Sequence, residues 1–304
     1  VTAAGYLHIS LIGRLTAPLQ SSPFYPNNLM SAVLYVVATP IGNLEDITFR
    51  AVRILKEADI IACEDTRHTR KLLDHYGVST PMVSYHEHNE TARAGEIVER
   101  LRAGESVALV SDAGTPLVSD PGYRVVAAAA EAGFAVTPLP GACASIAALC
   151  ASGLPTDSFR FCGFLPHKPG QRRKAIEAVS AETATLVFYE APHRIVEAVE
   201  ELRGVLGNRN AVLAREITKI HEEFLRGRLD ELASRLGERE SAAKGEFTIL
   251  IAKADEPAAT DEPVAAAVKR LERTGVSRME AMKQVARERG LSKREVYSAV
   301  EQGK

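Results

Sequence analysis

The chain has 304 residues, a net charge of −2, and apolar and charged fractions of 46% and 25%, values typical of an ordinary globular protein. No apolar run approaches the roughly 18 residues that cross a membrane, and the N-terminal segment lacks the pattern of a secretory signal. The four cysteines form no C-x-x-C pair and have no histidine at zinc spacing. We therefore expect a cytoplasmic protein with reduced cysteines, no metal and no membrane partner.

The first half of the chain alternates predicted strands with predicted helices. Residues 1–31 have no sustained periodicity, and we expect this extension to be disordered. The strand LYVVA then leads into the turn TPIGN, in which Pro40 and Gly42 fix the backbone. This turn matches neither a G-x-G-x-x-G fingerprint nor a Walker loop. The alternation continues to Gly153 and predicts a largely parallel sheet in an N-terminal α/β lobe, residues 32–153.

One loop of this lobe is too long to be a simple connection. The twelve residues SDAGTPLVSDPG, Ser111–Gly122, join a buried strand to a helix, whereas such loops usually take about two to six residues. Open α/β sheets bind ligands beyond the carboxyl ends of their strands. We therefore predict a ligand-binding loop here. In PGACASIAALCASG, Pro140–Gly153, small residues open a helix whose first backbone amides are available to the same ligand.

The second half of the chain predicts two further units. Residues 154–253 contain about five strands with helices between them, which indicates a mixed-sheet C-terminal α/β lobe. A linker rich in Pro, Ala and acidic residues follows at 254–263. Residues 264–304 predict a small basic helical domain, and its last two helices have helix-turn-helix spacing. From Pro263 onwards there are ten basic and five acidic residues, and this excess of positive charge points weakly to a nucleic-acid partner. The helix-turn-helix spacing adds little to that indication, because any three-helix miniature has similar spacing.

Five blocks of sequence carry a family resemblance: VATPIGNLEDIT, EDTRHT, SDAGTPLVSDPG, PGACA and YEAPHR. Over Val33–Ala252 they resemble the tetrapyrrole methylase superfamily. EDTRHT and YEAPHR resemble in particular the branch that methylates a cytidine ribose in bacterial small-subunit ribosomal RNA. The resemblance implies a two-lobed fold, a homodimer, and S-adenosylmethionine bound in the cleft between the lobes. It also implies small-subunit ribosomal RNA, or the assembled subunit, as the partner.

In this superfamily the cofactor is held mostly through backbone atoms. The resemblance therefore implies a cofactor site formed by Pro40, Asp112, Gly114, Thr115, Cys143 and Ala144, and completed by Tyr189, Ala214 and Gly245–Phe247. Cys143 replaces the serine of many relatives, a change of small effect where the backbone does the binding.

Methyl transfer from a sulfonium to a hydroxyl is an in-line displacement, in which the protein mainly aligns oxygen, carbon and sulfur. A general base that reaches the hydroxyl adds to the rate. In EDTRHT, Asp65 either caps a helix or lies near the reacting ribose together with Arg67. In YEAPHR, Glu190 and His193 are candidates for proton transfer and Arg194 for substrate contact, with a capped helix start as the alternative. The sequence does not choose the base among Asp65, Glu190 and His193.

The basic run HKPGQRRK predicts an RNA-facing surface in which Lys168, Arg172 and Arg173 contact phosphates, although a solvated loop has the same composition. Glu87 and Asn89 of YHEHNE are further candidates for substrate contact. Two other functions suit the same fold: methylation of a tetrapyrrole carbon, and non-catalytic binding to the ribosome. The basic run argues against methylation of a tetrapyrrole, and the intact cofactor loops argue against a non-catalytic role.

Overall fold

The computed structural model of the protein describes residues 32–238, 244–254 and 262–302. The predicted extension 1–31 and most of the predicted linker 254–263 lie outside these ranges. The described residues form two five-stranded sheets with flanking helices, and three further helices at the C-terminal end. This architecture confirms the predicted fold class.

The first sheet is entirely parallel, with the strand order β3-β2-β4-β1-β5. Its strands are β1 (Val33–Val37), β2 (Ile60–Cys63), β3 (Met82–Ser84), β4 (Val107–Val110) and β5 (Ala135–Leu139). Each is followed by a helix: α1 (Phe49–Glu57), α2 (Thr66–His75), α3 (Glu90–Arg102), α4 (Tyr123–Glu131) and α5 (Ala144–Ser152). Strands β2 and β4 are buried at every residue, because both faces of a parallel sheet are covered.

Two hydrophobic cores lie on opposite faces of this sheet. Leu34 and Leu109 belong to the core that includes residues of α3 and α4, whereas Val37 and Val110 belong to the core that includes residues of α1 and α2. Successive side chains of a strand point to opposite faces, so each strand supplies both cores. The carboxyl ends of all five strands consequently meet at one edge, where the polar loops lie.

The second sheet is mixed, with the order β6-β7-β10-β8-β9, in which only β6 and β7 are parallel neighbours. Its strands are β6 (Phe159–Phe164), β7 (Thr185–Glu190), β8 (Asn210–Arg215), β9 (Glu223–Arg228) and β10 (Phe247–Ile251). Three helices accompany them: α6 (Pro169–Ala178), α7 (Ile195–Leu206) and α8 (Leu229–Gly237). Helices α6, α7 and α8 contribute to one core against this sheet.

Helix α5 joins the two lobes. Its residues Ala148 and Leu149 pack with Val187 and Leu250 of the second sheet. The helix ends at Gly153, which has a φ of +78°, a conformation that glycine adopts without strain. The sequence places this helix in the first lobe, but its apolar face belongs to the core of the second. A shift of α5 would therefore move both lobes.

The C-terminal helices α9 (Val264–Arg273), α10 (Arg278–Glu288) and α11 (Lys293–Gln302) share a small core of their own, formed by residues such as Val268, Val285 and Val296. Ser292 directly precedes α11 and caps it. Its hydroxyl accepts from the N–H of Glu295 at 3.2 Å, and the Glu295 carboxylate accepts from the N–H of Ser292 at 2.7 Å. This reciprocal capping box fixes the start of the helix.

Candidate active site

The long loop after β4 is tied to the turn after β1. Thr39 and Gly114 exchange two backbone hydrogen bonds, of 2.9 and 3.1 Å, and the Thr39 hydroxyl donates to the Ser111 carbonyl at 3.0 Å. Gly114 has a φ of +89°, and a Cβ atom there would lie 3.2 Å from the Ile41 side chain. Both the backbone conformation and the close approach therefore favour glycine. The two loops form one continuous wall.

The same loop holds two non-glycine residues in left-handed conformations, Leu117 with a φ of +72° and Ser119 with a φ of +67°. Such conformations cost about 1–3 kcal/mol each and persist only where the surroundings enforce them. The Leu117 side chain packs against Gly122, where a Cβ atom would approach it to 2.9 Å. A Cβ atom on Gly163 of β6 would lie 3.4 Å from the Ser119 hydroxyl. The strained loop thus reaches the second lobe.

A third wall is the start of α5, which the second lobe holds in place. The backbone N–H of Ser145 donates to the Tyr189 hydroxyl at 3.0 Å, which satisfies one of the free amides of the first helical turn. The Thr115 hydroxyl donates to the Ala142 carbonyl at 3.0 Å. Cys143 lies between these two contacts, with its Sγ 3.2 Å from the Ser145 hydroxyl.

These walls line a cavity of about 460 Å³ between the lobes, a volume in the range of small-molecule and cofactor sites. From the first lobe its lining comprises Ile41, Asp112, Ala113, Gly114, Thr115, Val118, Ser119, Asp120, Cys143 and Ala144. From the second lobe it comprises Phe164, Tyr189, Glu190, Ala191, Pro192, Ile217, Glu246, Phe247 and Thr248. The cavity is mostly apolar with a few carboxylates, as is common in ligand sites.

Most of the predicted cofactor residues meet in this cavity. Its wall includes Asp112, Gly114, Thr115, Cys143, Ala144 and Tyr189, together with the last two residues of the Gly245–Phe247 segment. Gly245 and two other predicted residues lie outside it. Pro40 is replaced in the wall by its neighbour Ile41, and Ala214 is fully buried in a hydrophobic cluster with Leu250.

Asp65 caps a helix, which was the alternative to its catalytic role. Its carboxylate accepts from the backbone N–H of Arg67 at 2.8 Å, and from the guanidinium of the same residue at 3.1 and 2.8 Å. These hydrogen bonds hold the pKa of the Asp65 carboxyl well below its usual range. The side chain is absent from the cavity wall, so the structure favours the capping alternative. The catalytic role of Asp65 stays a prediction. Arg67 is exposed and paired with Asp65 alone among the described residues.

Three carboxylates come together where β2 and β4 end: Glu64, Asp112 and Asp120. Burial raises the pKa of Glu64, and the charge of Asp112 raises it further, while His86 opposes the shift. Burial raises the pKa of Asp120 to about 6, with further contributions from Glu64 and Asp112, although hydrogen bonding from Ser111 opposes it. Asp120 is not among the site residues predicted from the sequence. The available signal was the second Ser-Asp pair of the loop.

Glu190 ends β7 with its side chain in the cavity wall and only 1% exposed. One carboxylate oxygen, Oε1, accepts from the N–H of Ala191 at 2.8 Å. The other, Oε2, has no hydrogen-bond partner within the described part of the chain and lies 3.3 Å from the Arg194 guanidinium. Burial raises the pKa of Glu190. Glu190 therefore places a buried carboxylate, ion-paired with Arg194, at the cavity wall.

Arg194 and His193, the other two candidates from YEAPHR, lie outside the cavity wall. Arg194 is buried and donates to the carbonyls of Leu165 at 2.8 Å and Pro166 at 3.2 Å. Its guanidinium is therefore committed to the interior, and the prediction that Arg194 contacts substrate is wrong. His193 is exposed and is not part of the cavity wall, so its role in proton transfer stays a prediction.

The basic run divides into one buried and two exposed cations. The Arg172 side chain is 3% exposed and pairs with Glu197 and Glu201 of α7, which contradicts its predicted contact with RNA phosphates. Lys168 is exposed, and Arg173 is exposed with a weak surface pair to Glu177 at 3.1 Å. These two residues remain candidates for phosphate contact.

Of the predicted substrate residues before α3, Asn89 is engaged locally. Its side-chain oxygen accepts from the N–H of His86 at 2.9 Å, and its amide donates to the Ser84 carbonyl at 3.3 Å. Glu87 is exposed at the tip of this turn. The turn lies near Glu64, whose pKa Glu87 raises and His86 lowers. Asn89 therefore shapes the loop beside the carboxylates.

The fold and the cavity agree with the family comparison. The family model described as Tetrapyrrole (Corrin/Porphyrin) Methylases matches residues 33–233, and the chain belongs to this family. Two solved structures share the fold: uroporphyrin-III-C-methyltransferase from Thermus thermophilus and a diphthine synthase. The first has a TM-score of 0.53 and 21% identity over 73% of this chain and 95% of its own. The second has a TM-score of 0.56 and 20% identity over 73% and 90%.

Curated relatives give a narrower comparison. The chain is 49% identical to ribosomal RNA small subunit methyltransferase I of Halalkalibacterium halodurans over 275 residues, which are 88% of this chain and 94% of that protein. It is 49% identical to the protein of the same name from Micromonospora olivasterospora, over 89% and 87% of the two chains. The Synechocystis protein of that name is 46% identical over 87% and 96%.

Proposed function

We propose that this protein transfers a methyl group from S-adenosylmethionine to the ribose 2′-hydroxyl of a cytidine in small-subunit ribosomal RNA. The observation that carries the proposal is the near-half identity, over most of the chain, to three proteins named as small-subunit ribosomal RNA methyltransferases. None of these relatives is named as a tetrapyrrole methylase or as a non-catalytic protein, so the two alternative functions are not favoured.

The cavity suits S-adenosylmethionine. Its apolar lining offers a surface for the adenine and the methylene groups, and Cys143 and Ala144 present the amides of a helix start to polar groups. Glu190 adds a buried carboxylate to this wall. When bound, the sulfonium supplies an activated methyl group. The residues of this chain then hold the hydroxyl, exclude water and accept a proton.

Exposed cations outside the cavity support RNA as the substrate. Lys168 and Arg173 lie at the start of α6 in the second lobe. In the helical domain, Lys293 and Arg294 occupy the first turn of α11, and neither has an acidic partner in the described ranges. A helix dipole disfavours cations in its first turn, so these two residues do not serve helix stability. We propose that they contact RNA phosphates.

The proposal extends to a homodimer that works in the cytoplasm on the RNA or the assembled subunit. Two large apolar side chains, Phe49 and Ile220, are 98% and 97% exposed. Solvent does not favour such exposure, and an interface between two copies would cover them. Light scattering of the wild type and of a Phe49→Ser, Ile220→Ser variant tests this. A dimeric variant with unchanged dissociation would exclude these residues from the interface.

Methyl transfer tests the function directly. Purified protein is incubated with radiolabelled S-adenosylmethionine and either naked small-subunit RNA or assembled subunits. We expect label in RNA from at least one of the two substrates, in an amount that saturates near one methyl per molecule. Label in neither substrate, together with tight stoichiometric binding of a tetrapyrrole seen by absorbance titration, would contradict the proposal.

A further inference from the structure

Asp120 differs from the other carboxylates of the site in what surrounds it. It lies in the cavity wall, at the far end of the loop that also carries Gly114 and Thr115. The left-handed backbone of Ser119 directly precedes it, and Pro121 follows it. Its position is therefore set by a strained and rigid segment rather than by a flexible tip.

The charges around Asp120 are negative. The groups that face it are the carboxyls of Glu64 and Asp112 and the hydroxyl of Ser111. Within the described chain it forms no ion pair, whereas Asp65 is paired with Arg67 and Glu190 lies beside Arg194. An unpaired carboxylate that is partly buried beside other carboxylates holds a proton more tightly than an ordinary aspartate.

The other nearby carboxylates are less suited to accept the proton, because each accepts a hydrogen bond from the backbone or lies outside the cavity wall. Asp112 accepts a hydrogen bond from the backbone N–H of Asp65 at 3.1 Å, and Glu64 is absent from the cavity wall. Glu190 lies on the second lobe, where one of its oxygens accepts from Ala191. Asp120 thus combines access to the cavity with a carboxylate that forms no ion pair within the described chain.

We infer that Asp120 is the general base that accepts the proton of the ribose 2′-hydroxyl. The inference rests on the proposed function. The hydroxyl oxygen forms a bond to the methyl carbon while the carbon–sulfur bond breaks, and the electron pair of that bond leaves with sulfur as a neutral thioether. The hydroxyl proton passes to the Asp120 carboxylate and is later released to water. Atoms and charge balance without an oxidant, a reductant or a metal.

The raised pKa of Asp120, about 6, suits this role. A general base is most effective when its pKa lies near the working pH, because it is then both ionised and basic. An aspartate with an ordinary pKa would be ionised but a weaker base. Glu64 and Asp112 therefore act as positioning residues, since their negative charges raise the basicity of Asp120.

Single-turnover methylation of RNA by Asp120→Asn tests the inference. We expect the rate to fall by about 10²–10⁴-fold, the usual contribution of a general base, while calorimetry shows cofactor affinity within about threefold of wild type. Asp120→Glu should recover part of the rate. In the wild type the rate should fall as the pH drops through about 6, and Glu64→Gln should move that inflection to lower pH. Asp157→Asn, at an exposed aspartate, is the matched control.

A second readout does not depend on activity. Carboxyl carbon NMR of the wild type should show one aspartate that titrates near pH 6 and is missing from Asp120→Asn. An Asp120→Asn variant that keeps the wild-type rate and pH inflection would overturn the inference and leave the proposed function intact. A wild-type protein that methylates no ribosomal RNA would overturn the proposed function, and with it the role of Asp120 towards a ribose.

Discussion

Asp112 accepts a hydrogen bond from the backbone N–H of Asp65, 3.1 Å away, although the two residues are 47 positions apart in sequence. The bond joins the loop after β4 to the start of α2, the two segments that border the carboxylate cluster. Asp112 also lies in the cavity wall. A single side chain therefore links the candidate cofactor site to the segment EDTRHT, on the side where we place the substrate.

Replacement of Asp112 tests this link. Asp112→Ala removes the acceptor for Asp65 and a polar group of the wall, so we expect loss of measurable cofactor binding by calorimetry. Asp112→Asn keeps an oxygen acceptor and should retain weaker binding. Unfolding curves show whether the variants are folded. Cofactor affinity of the alanine variant within twofold of wild type would contradict this role for Asp112.

Arg172 and Arg173 are adjacent in sequence but should behave differently. Arg172→Ala leaves Glu197 and Glu201 without their partner, and we expect it to lower the free energy of unfolding by about 1–3 kcal/mol. Arg173→Ala should change it by less than about 0.5 kcal/mol, because the residue is exposed. Urea unfolding of both variants measures the difference. Equal effects of the two substitutions would show that the ion pairs of Arg172 with Glu197 and Glu201 contribute little to stability.

The cations at the start of α11 should affect RNA binding and not folding. For Lys293→Ala, Arg294→Ala we expect weaker RNA binding, with the slope of log affinity against log salt reduced by about one per lost phosphate contact. Thermal stability should be unchanged or slightly higher, because the helix dipole no longer opposes two charges. Lys283→Ala, which removes a cation paired with Glu280 at 3.1 Å, is the control. Equal salt slopes for the wild type, the double variant and the Lys283→Ala control would exclude the start of α11 from the RNA interface.

The buried carboxyl of Glu190 should make the free energy of unfolding depend on pH. Because burial raises its pKa in the folded protein, the unfolded chain ionises first, and the wild type loses stability as the pH rises through the normal glutamate range. Glu190→Gln removes that ionisation. The free energy of unfolding of wild type minus variant should therefore fall as the pH rises above the ordinary pKa of glutamate, about 4.3. A difference that is constant or rises with pH would mean that Arg194 stabilises the charged form more than burial opposes it.

The sequence predicts the fold and the loops that line the cavity well, because both depend on local backbone chemistry. Buried parallel strands such as β4 are continuous apolar runs, and the left-handed positions of Gly114 and Gly122 occur in a segment dense in Gly, Pro and Asp. Roles of individual charged side chains are predicted poorly. Whether Arg172 faces solvent or α7 depends on residues about 25 positions away, which periodicity alone does not reveal.

The same reason explains why Asp120 is hard to single out from the sequence. Asp65 and Asp120 both lie in segments that join a strand of the first sheet to the next helix. In the structure one is neutralised by Arg67, two residues along the chain, and the other faces Glu64 and Asp112. The difference arises from tertiary packing, because carboxylates distant in sequence converge at the sheet edge.

Mass mapping of nuclease fragments can detect methyl transfer to a ribose of small-subunit ribosomal RNA. Small-subunit RNA from cells with and without this protein is digested, and the fragments are compared. We expect one cytidine-containing fragment that gains a methyl group only when the protein is present, with the methyl on the ribose and resistance of the adjacent phosphodiester to alkali. A methyl group on the base, or identical fragments from both cells, would contradict this expectation.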